Sequence, residues 1–499
     1  QEGRKKTTEE DLRDALSRVA QKEANGEIEK TNDAFFVPER LMAEPQPMQE
    51  GETAFVNKRT WPISDVYEVD LKNGMKVCLK STNFLDDQIV MRCVARGGLS
   101  EISQTEYKDA LFAGTVSREL GVFGFRPEVF SDAMAGKRVD VNPNIGTYKR
   151  SITGETSPDH LDTLLQCVHL VFSTNVEDQC NEDDLDVLRK MQIEAVKNAR
   201  RNPMQVFSEI QQYLTYGKSY LSKPITLKTL QKMSPENACR YFNKCFLDPS
   251  HFTMVLVGAF DREAVLPLLE KYISSIPRPL DSSPKITNVK PAPFEFPKKA
   301  VSKRVRLKMV EHQGAASITF PVTIVHPDAI AKQEALKRGE TYKGPTLEGF
   351  QALTRAKFLT MISAAVIERR LLARLRFERG EIYSCSCSAS FGYSDPNPSN
   401  GEPYRGDLSV VFSCDPRSGE TLSKVALDEI EKLQKEGPSL EDVNTAKEVE
   451  IRSLEEHRQE NIFWRDYVDA MYASQLLPVL DMNIDKVYEN TEAIRSNVL

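Results

Sequence analysis

From Tyr67 the chain alternates apolar and polar positions through YEVDLKNGMKVCLKS, two period-two runs meeting at Asn73-Gly74. That dipeptide supplies the positive φ angles of a tight turn, so the pattern predicts a β-hairpin. IVMRCVARGG reads as a third strand, followed by a helix from about Glu106 to Leu120. RVDVNPNIG and YKRSITGET read as a strand pair, and SPDHLDTLLQCVHLVF sets Leu161, Leu164, Leu165, Val168 and Phe172 on one helical face. Helices through LDVLRKMQIEAVKNARRN and PENACRYFNKCF, the β-branched run FTMVLVG and a last helix, REAVLPLLEKYISSI, complete this unit.

Six prolines between Pro277 and Pro297 then interrupt any regular element. After them the order of elements restarts: strands RVRLKMV and AASITFPVTI, a long helix through GFQALTRAKFLTMISAAVIERRLLARLRF, and strands IYSCSCSASFG and DLSVVFSCD. DPRSGETLSKVALDEI lies 258 positions after SPDHLDTLLQCVHLVF, with Pro416 matching Pro158 and Thr421-Leu422 matching Thr163-Leu164. This is an internal repeat. The expected fold is α+β, two tandem homologous domains, each a mixed or antiparallel sheet packed with helices. The expected boundaries are a charged helix and linker over 1–61, a first domain over 62–276, a Pro-rich linker over 277–300 and a second domain over 301–499. A capping-box-like Thr8-x-x-Asp11 starts the opening helix. The second copy reaches IRSNVL, read as helix, before any counterpart of FTMVLVG, so it is expected to be truncated.

Composition narrows the class. A chain of 499 residues that is 40 % hydrophobic has material for two or three cores. A formal charge of −7 spread over both signs argues against a nucleic-acid surface. The nine cysteines include no C-x-x-C pair, and Cys78, Cys93, Cys167, Cys239 and Cys245 sit in apolar or helical patterns, as buried reduced thiols do. No apolar run approaches the roughly 18 residues of a membrane span, and no signal-peptide core is visible. A first residue of Gln in place of Met reads as a mature product or a fragment.

Candidate chemistry is sparse. His160, His169, His251, His312 and His326 lack helical partners for a metal set. His457-x-x-Glu460 begins an inverted zinc motif, but the second His position is Asn461, which leaves a solvated helix face as the reading. No Gly-rich phosphate loop or nucleophile elbow is present.

YEVDLKNGMKVCLKS, GKRVDVNPNIGTYKRSITGETSPDHLDTLLQCVHLVF, YFNKCFLDPSHFTMVLVG and LRFERGEIYSCS together resemble the C-terminal half of a pitrilysin/insulinase-type zinc metallopeptidase, closest to the PQQL-like zinc proteases of plants and algae. The resemblance implies the third and fourth of four related domains, two halves closing a chamber around an unfolded peptide. It implies zinc held by a partner N-terminal half carrying His-x-x-Glu-His, and no metal ligand in this chain. Glu194 falls where the family's third ligand would lie and, without the histidines, reads as a surface carboxylate. The resemblance also implies that Arg376 and Tyr383, seven residues apart in LRFERGEIY, cross the chamber as catalytic and substrate-binding residues. It points to a chloroplast stroma or a mitochondrion. From spacing alone, Tyr383 also reads as a half-buried strand aromatic and Arg376 as a helix-dipole partner. Two other functions stay open: a non-catalytic structural subunit of an organellar complex, and a peptide-binding module that needs no Tyr383.

Overall fold

The structure, a computed structural model, describes residues 38, 40–46, 53–179, 182–280, 284–307, 312–325, 327–341, 346–377, 380–391 and 403–484. The expected opening helix and the final IRSNVL lie outside these residues.

The first sheet is built from β1 (Phe55–Trp61), β2 (Val66–Leu71), β3 (Lys76–Ser81), β4 (Ile89–Arg96), β5 (Val139–Ile145), β6 (Lys149–Thr156) and β7 (Thr253–Gly258), in the order β1-β2-β3-β7-β4-β6-β5. The β2–β3 turn works as its residues dictate. Gly74 takes φ +88°, its N–H donates to the Leu71 carbonyl at 2.9 Å, and the Asn73 side chain accepts from the Met75 N–H at 3.1 Å. β7 is buried along its whole length, parallel to β3 and antiparallel to β4. The charged opening stretch is not all linker, because β1 pairs antiparallel with β2 and hides Trp61. The single helix expected over 106–120 is two, Gln104–Ala110 and α1 (Ala113–Leu120), joined at the Leu111–Phe112 corner.

One face of this sheet packs on α1, α2 (Leu161–Ser173) and α4 (Pro235–Cys245), where Leu164, Leu165, Val168 and Phe242 are almost wholly buried; α3 (Pro203–Thr215) lies outside that layer. α5 (Leu347–Leu371), α6 (Gly419–Glu436) and α7 (Leu440–His457) belong to the second unit, and α8 (Asn461–Ala473) crosses back to the first. α8 lays Tyr467, Val468 and Met471 on Val90, Val255 and Val257, covering the other face of the first sheet.

The second sheet holds β8 (Gly314–Ile324), β9 (Ile382–Ser390) and β10 (Tyr404–Cys414), in the order β8-β10-β9. This repeats the β4-β6-β5 order of the first, and α6 follows β10 as α2 follows β6. The strand expected at RVRLKMV is not seen: residues 304–307 carry no strand, and 308–310 lie outside the described residues. The Pro-rich segment is strapped to both units. Lys290 N–H donates to Glu101 at 2.8 Å, and Arg405 donates to the Phe294 carbonyl at 2.9 Å.

Candidate functional site

The corner at LRFERGEIY is a helix stop with left-handed backbone. α5 passes at Leu372 into a wider π turn that runs to Phe377, a departure common at functional sites. Gly380 then takes φ +66°, its N–H donating to the Arg376 carbonyl at 2.9 Å and the Glu381 N–H to the Leu375 carbonyl at 3.2 Å. A Cβ at Gly380 would meet no atom within 4 Å, so the backbone angle and not space selects glycine. Buried Leu375 and Ile382 fix both sides of the corner in the second unit's core, while Arg376 between them is exposed.

Tyr383 is positioned by a defect in the ladder. Ile382 pairs with Cys414 and Ser384 with Ser413, so Tyr383 is an extra residue opposite no partner. Such a β-bulge bends the strand and re-aims a side chain. Tyr383 is 81 % exposed, which excludes the half-buried strand aromatic that spacing alone allowed. Beside it the sheet presents hydroxyls: Ser384, Ser386 and Ser388 are exposed on β9, the Ser384 and Ser413 oxygens are 2.9 Å apart, and those of Ser409 and Thr319 are 3.0 Å apart.

Nothing among the described residues fits a zinc ion. No three His, Cys, Asp or Glu side chains converge. His457 meets Ser453 at 3.2 Å, Glu460 only precedes α8, and buried Asn461 donates to Gln88 at 3.0 Å. Glu194 is exposed and pairs with Lys197 at 2.6 Å, which holds its carboxyl below the usual range. His169 is buried with Nδ1 at 2.7 Å from the Tyr272 carbonyl, and burial lowers its pKa. His326 and Cys180 lie outside the described residues. The other eight cysteines are buried, and burial pushes Cys167 up to about 12 and Cys385 to about 11, as expected of inert thiols.

One chemically unusual residue escaped the sequence reading. Lys357, on α5, places its ammonium 4.0 Å from the centre of the Tyr404 ring, and burial lowers its pKa to about 8. Its only signal was a lysine inside the apolar run AKFLTMISAAV.

Among the described residues no helix is long and apolar enough to cross a membrane. Residues 232–450 match the Peptidase M16 inactive domain. The chain is 35 % identical over 447 residues to the Zinc protease PQQL-like of Arabidopsis thaliana, an alignment covering 89 % of this chain and 41 % of that protein. The periplasmic protease PqqL from Escherichia coli superposes with a TM-score of 0.66 at 16 % identity, over 95 % of this chain and 47 % of that one. A protease from Helicobacter pylori gives 0.59 at 13 % identity, over 86 % of this chain and 96 % of that one. The fold is that of the M16 peptidases. The chain belongs to that family and corresponds to the half that carries the inactive domain. It spans 41 % of the length of the Arabidopsis relative.

Proposed function

We propose that the chain is the metal-free C-terminal half of a zinc metalloendopeptidase. It closes the chamber, binds unfolded peptide, and presents Arg376 and Tyr383 to a zinc site carried by an N-terminal half with a His-x-x-Glu-His motif. The observation that carries this reading is the corner itself: a π turn, a left-handed glycine and a bulge together leave a phenol 81 % exposed where a regular strand would have paired it. Exposing a large aromatic forfeits its burial energy, about 2 kcal/mol, so the position requires another reason.

In this proposal Tyr383 donates its O–H to the oxyanion forming at the scissile carbonyl, and Arg376 donates to backbone carbonyls of the extended substrate. The hydroxyl face around Ser384, Ser386 and Ser388 makes a polar wall beside them. An organellar location, chloroplast stroma or mitochondrion, belongs to the same proposal and rests on the resemblance. The test is cleavage of a quenched peptide by this chain reconstituted with its N-terminal half, comparing wild type with Tyr383→Phe. A specific fall in kcat supports the proposal; unchanged kcat returns the chain to a structural role.

A further inference from the structure

The corner that carries Arg376 and Tyr383 has two arms, the end of α5 running into the π turn and the strand β9. Little in the corner itself sets the angle between them. Gly380 takes φ +66° with no atom within 4 Å of where a Cβ would stand, and the bulge leaves Tyr383 outside the β10 ladder. The second unit's core holds both arms, through Leu371, Leu375, Ile382 and Cys385. Apolar packing is non-directional, so it draws the arms together without fixing how far one slides along the other.

One directional contact joins them. The Cys387 backbone N–H donates to the carboxylate of Glu368 at 2.8 Å. Glu368 stands eight residues before Arg376 on α5, and Cys387 four residues after Tyr383 on β9, so the bond is a cross-brace between the arms. β9 is the edge of its sheet, and alternate N–H groups of an edge strand face away from the ladder, open to such a partner.

The helix end of the brace is itself anchored. Beside Glu368, the Nε atoms of Arg369 and Arg370 lie 3.2 and 3.0 Å from the two oxygens of buried Asp442 on α7. Successive helix residues point about 100° apart. A rotation of α5 that brings one guanidinium closer to Asp442 therefore carries the other away, and the pair fixes the direction in which Glu368 leaves the helix.

We propose that Glu368 is a positioning residue for Arg376 and Tyr383, bracing β9 against α5 so that guanidinium and phenol keep their separation and aim. This rests on the reading that the pair serves a peptidase site. The Glu368 carboxylate faces the strand and acts through the pair, not on the substrate. A hydrogen bond leaves about 0.5 Å of play, whereas misplacing a reacting group by about 1 Å costs on the order of 100-fold.

The test pairs hydrogen exchange of the isolated chain with kinetics of the reconstituted halves, using Glu368→Ala and Glu368→Gln, with melting temperature as the control for folding. Alanine removes the acceptor; glutamine keeps a carbonyl oxygen in its place. In Glu368→Ala the amides of Cys387, Gly380 and Glu381 are expected to exchange about tenfold or more faster, and kcat to fall about tenfold or more. Glu368→Gln is expected to restore most of both. In a Tyr383→Phe background Glu368→Ala is expected to lower kcat little further, because a group that acts by aiming the phenol O–H has nothing left to aim. A kcat loss that persists in full in that background, a glutamine variant as slow as the alanine one, or unchanged kcat in Glu368→Ala would overturn the proposal. Unaccelerated exchange at Cys387 denies the brace without any companion half, whereas a silent Tyr383→Phe fails the peptidase reading, so the two failures are read in different experiments.

Discussion

Tyr472, near the end of α8, donates its hydroxyl to Glu68 on β2, so the last described α-helix is bonded to the first unit's sheet. Glu68 also accepts from Trp61 Nε1 at 3.1 Å and from Lys76. Arg92 on β4 reaches Asp466 at 2.8 Å, and Lys80 lies 4.3 Å from the centre of the Trp464 ring. α8 is therefore a strut, and Tyr472→Phe should loosen it. Loss of a hydrogen bond to an ionised acceptor costs roughly 1.5–3 kcal/mol. Amides of residues 461–473 should exchange faster in the variant; unchanged exchange would deny the strut its role.

The same carboxylate sets a pH dependence. Burial alone would raise the Glu68 pKa, but the hydrogen bonds from Lys76, Tyr472 and Trp61 together outweigh it and hold the group below the usual carboxylate range. With the folded pKa below the unfolded one, the unfolded chain binds more protons, so this stabilisation is complete above about pH 5 and fades as pH falls through the folded value. Glu68→Gln should lower Tm at pH 7 and flatten its decline in acid. A parallel shift of the whole Tm profile would count against the assignment.

At the LRFERGEIY corner, Gly380→Ala tests backbone angle without steric conflict. Its φ of +66° lies in open space, so the cost should be the left-handed strain alone, about 1 kcal/mol, with Gly380→Asn milder. Peptidase activity of the reconstituted enzyme should fall more than stability does, since the turn aims Arg376 and Tyr383. Thermal melting beside kinetics separates the two.

How much of this was legible depends on whether the cause was local. Asn73-Gly74 foretold its turn because the dipeptide's own dihedral freedom makes it, and the 258-residue repeat reappears as the matched orders β4-β6-β5 and β8-β10-β9. The crossing of α8 was illegible: NIFWRDYVDAMYA shows an apolar face, but nothing in its letters says which unit's sheet it covers. The bulge at Tyr383 was also hidden, because a one-residue offset arises from pairing with β10 and leaves IYSCSCSAS looking like an ordinary alternating strand. β1 was missed because Asn57, Lys58 and Arg59 make an edge strand read as linker.

Removing the charge of Lys357 should move Tm in the opposite direction to removing that of Glu68, although stability rises with pH through both titrations. The folded pKa of Lys357, about 8, lies below the unfolded value near 10.4, so the unfolded chain holds the proton more firmly and stability should rise as pH climbs from about 8 to 10. Lys357→Met keeps the stem and removes the charge; it should raise Tm at pH 7 and abolish that rise. A destabilised Met variant would mean the ammonium's contact with the Tyr404 ring outweighs its desolvation.

The last prediction separates the two residues of the corner by their kinetics. Tyr383→Phe removes one O–H from a ring that is already exposed, so folding should be unaffected and only a transition-state interaction can be lost. If that O–H meets the developing oxyanion, kcat of the reconstituted enzyme should fall about 100-fold with little change in KM. Arg376→Ala removes a donor that serves bound substrate and transition state alike, so KM should rise at least as far as kcat falls. The discriminating measurement is steady-state kinetics on a quenched peptide, with zinc content and melting temperature held as controls. Matching kcat losses with unaltered KM in both variants would give Arg376 a transition-state role instead, and two silent variants would leave the bulge at Tyr383 as a device for blunting the β9 edge.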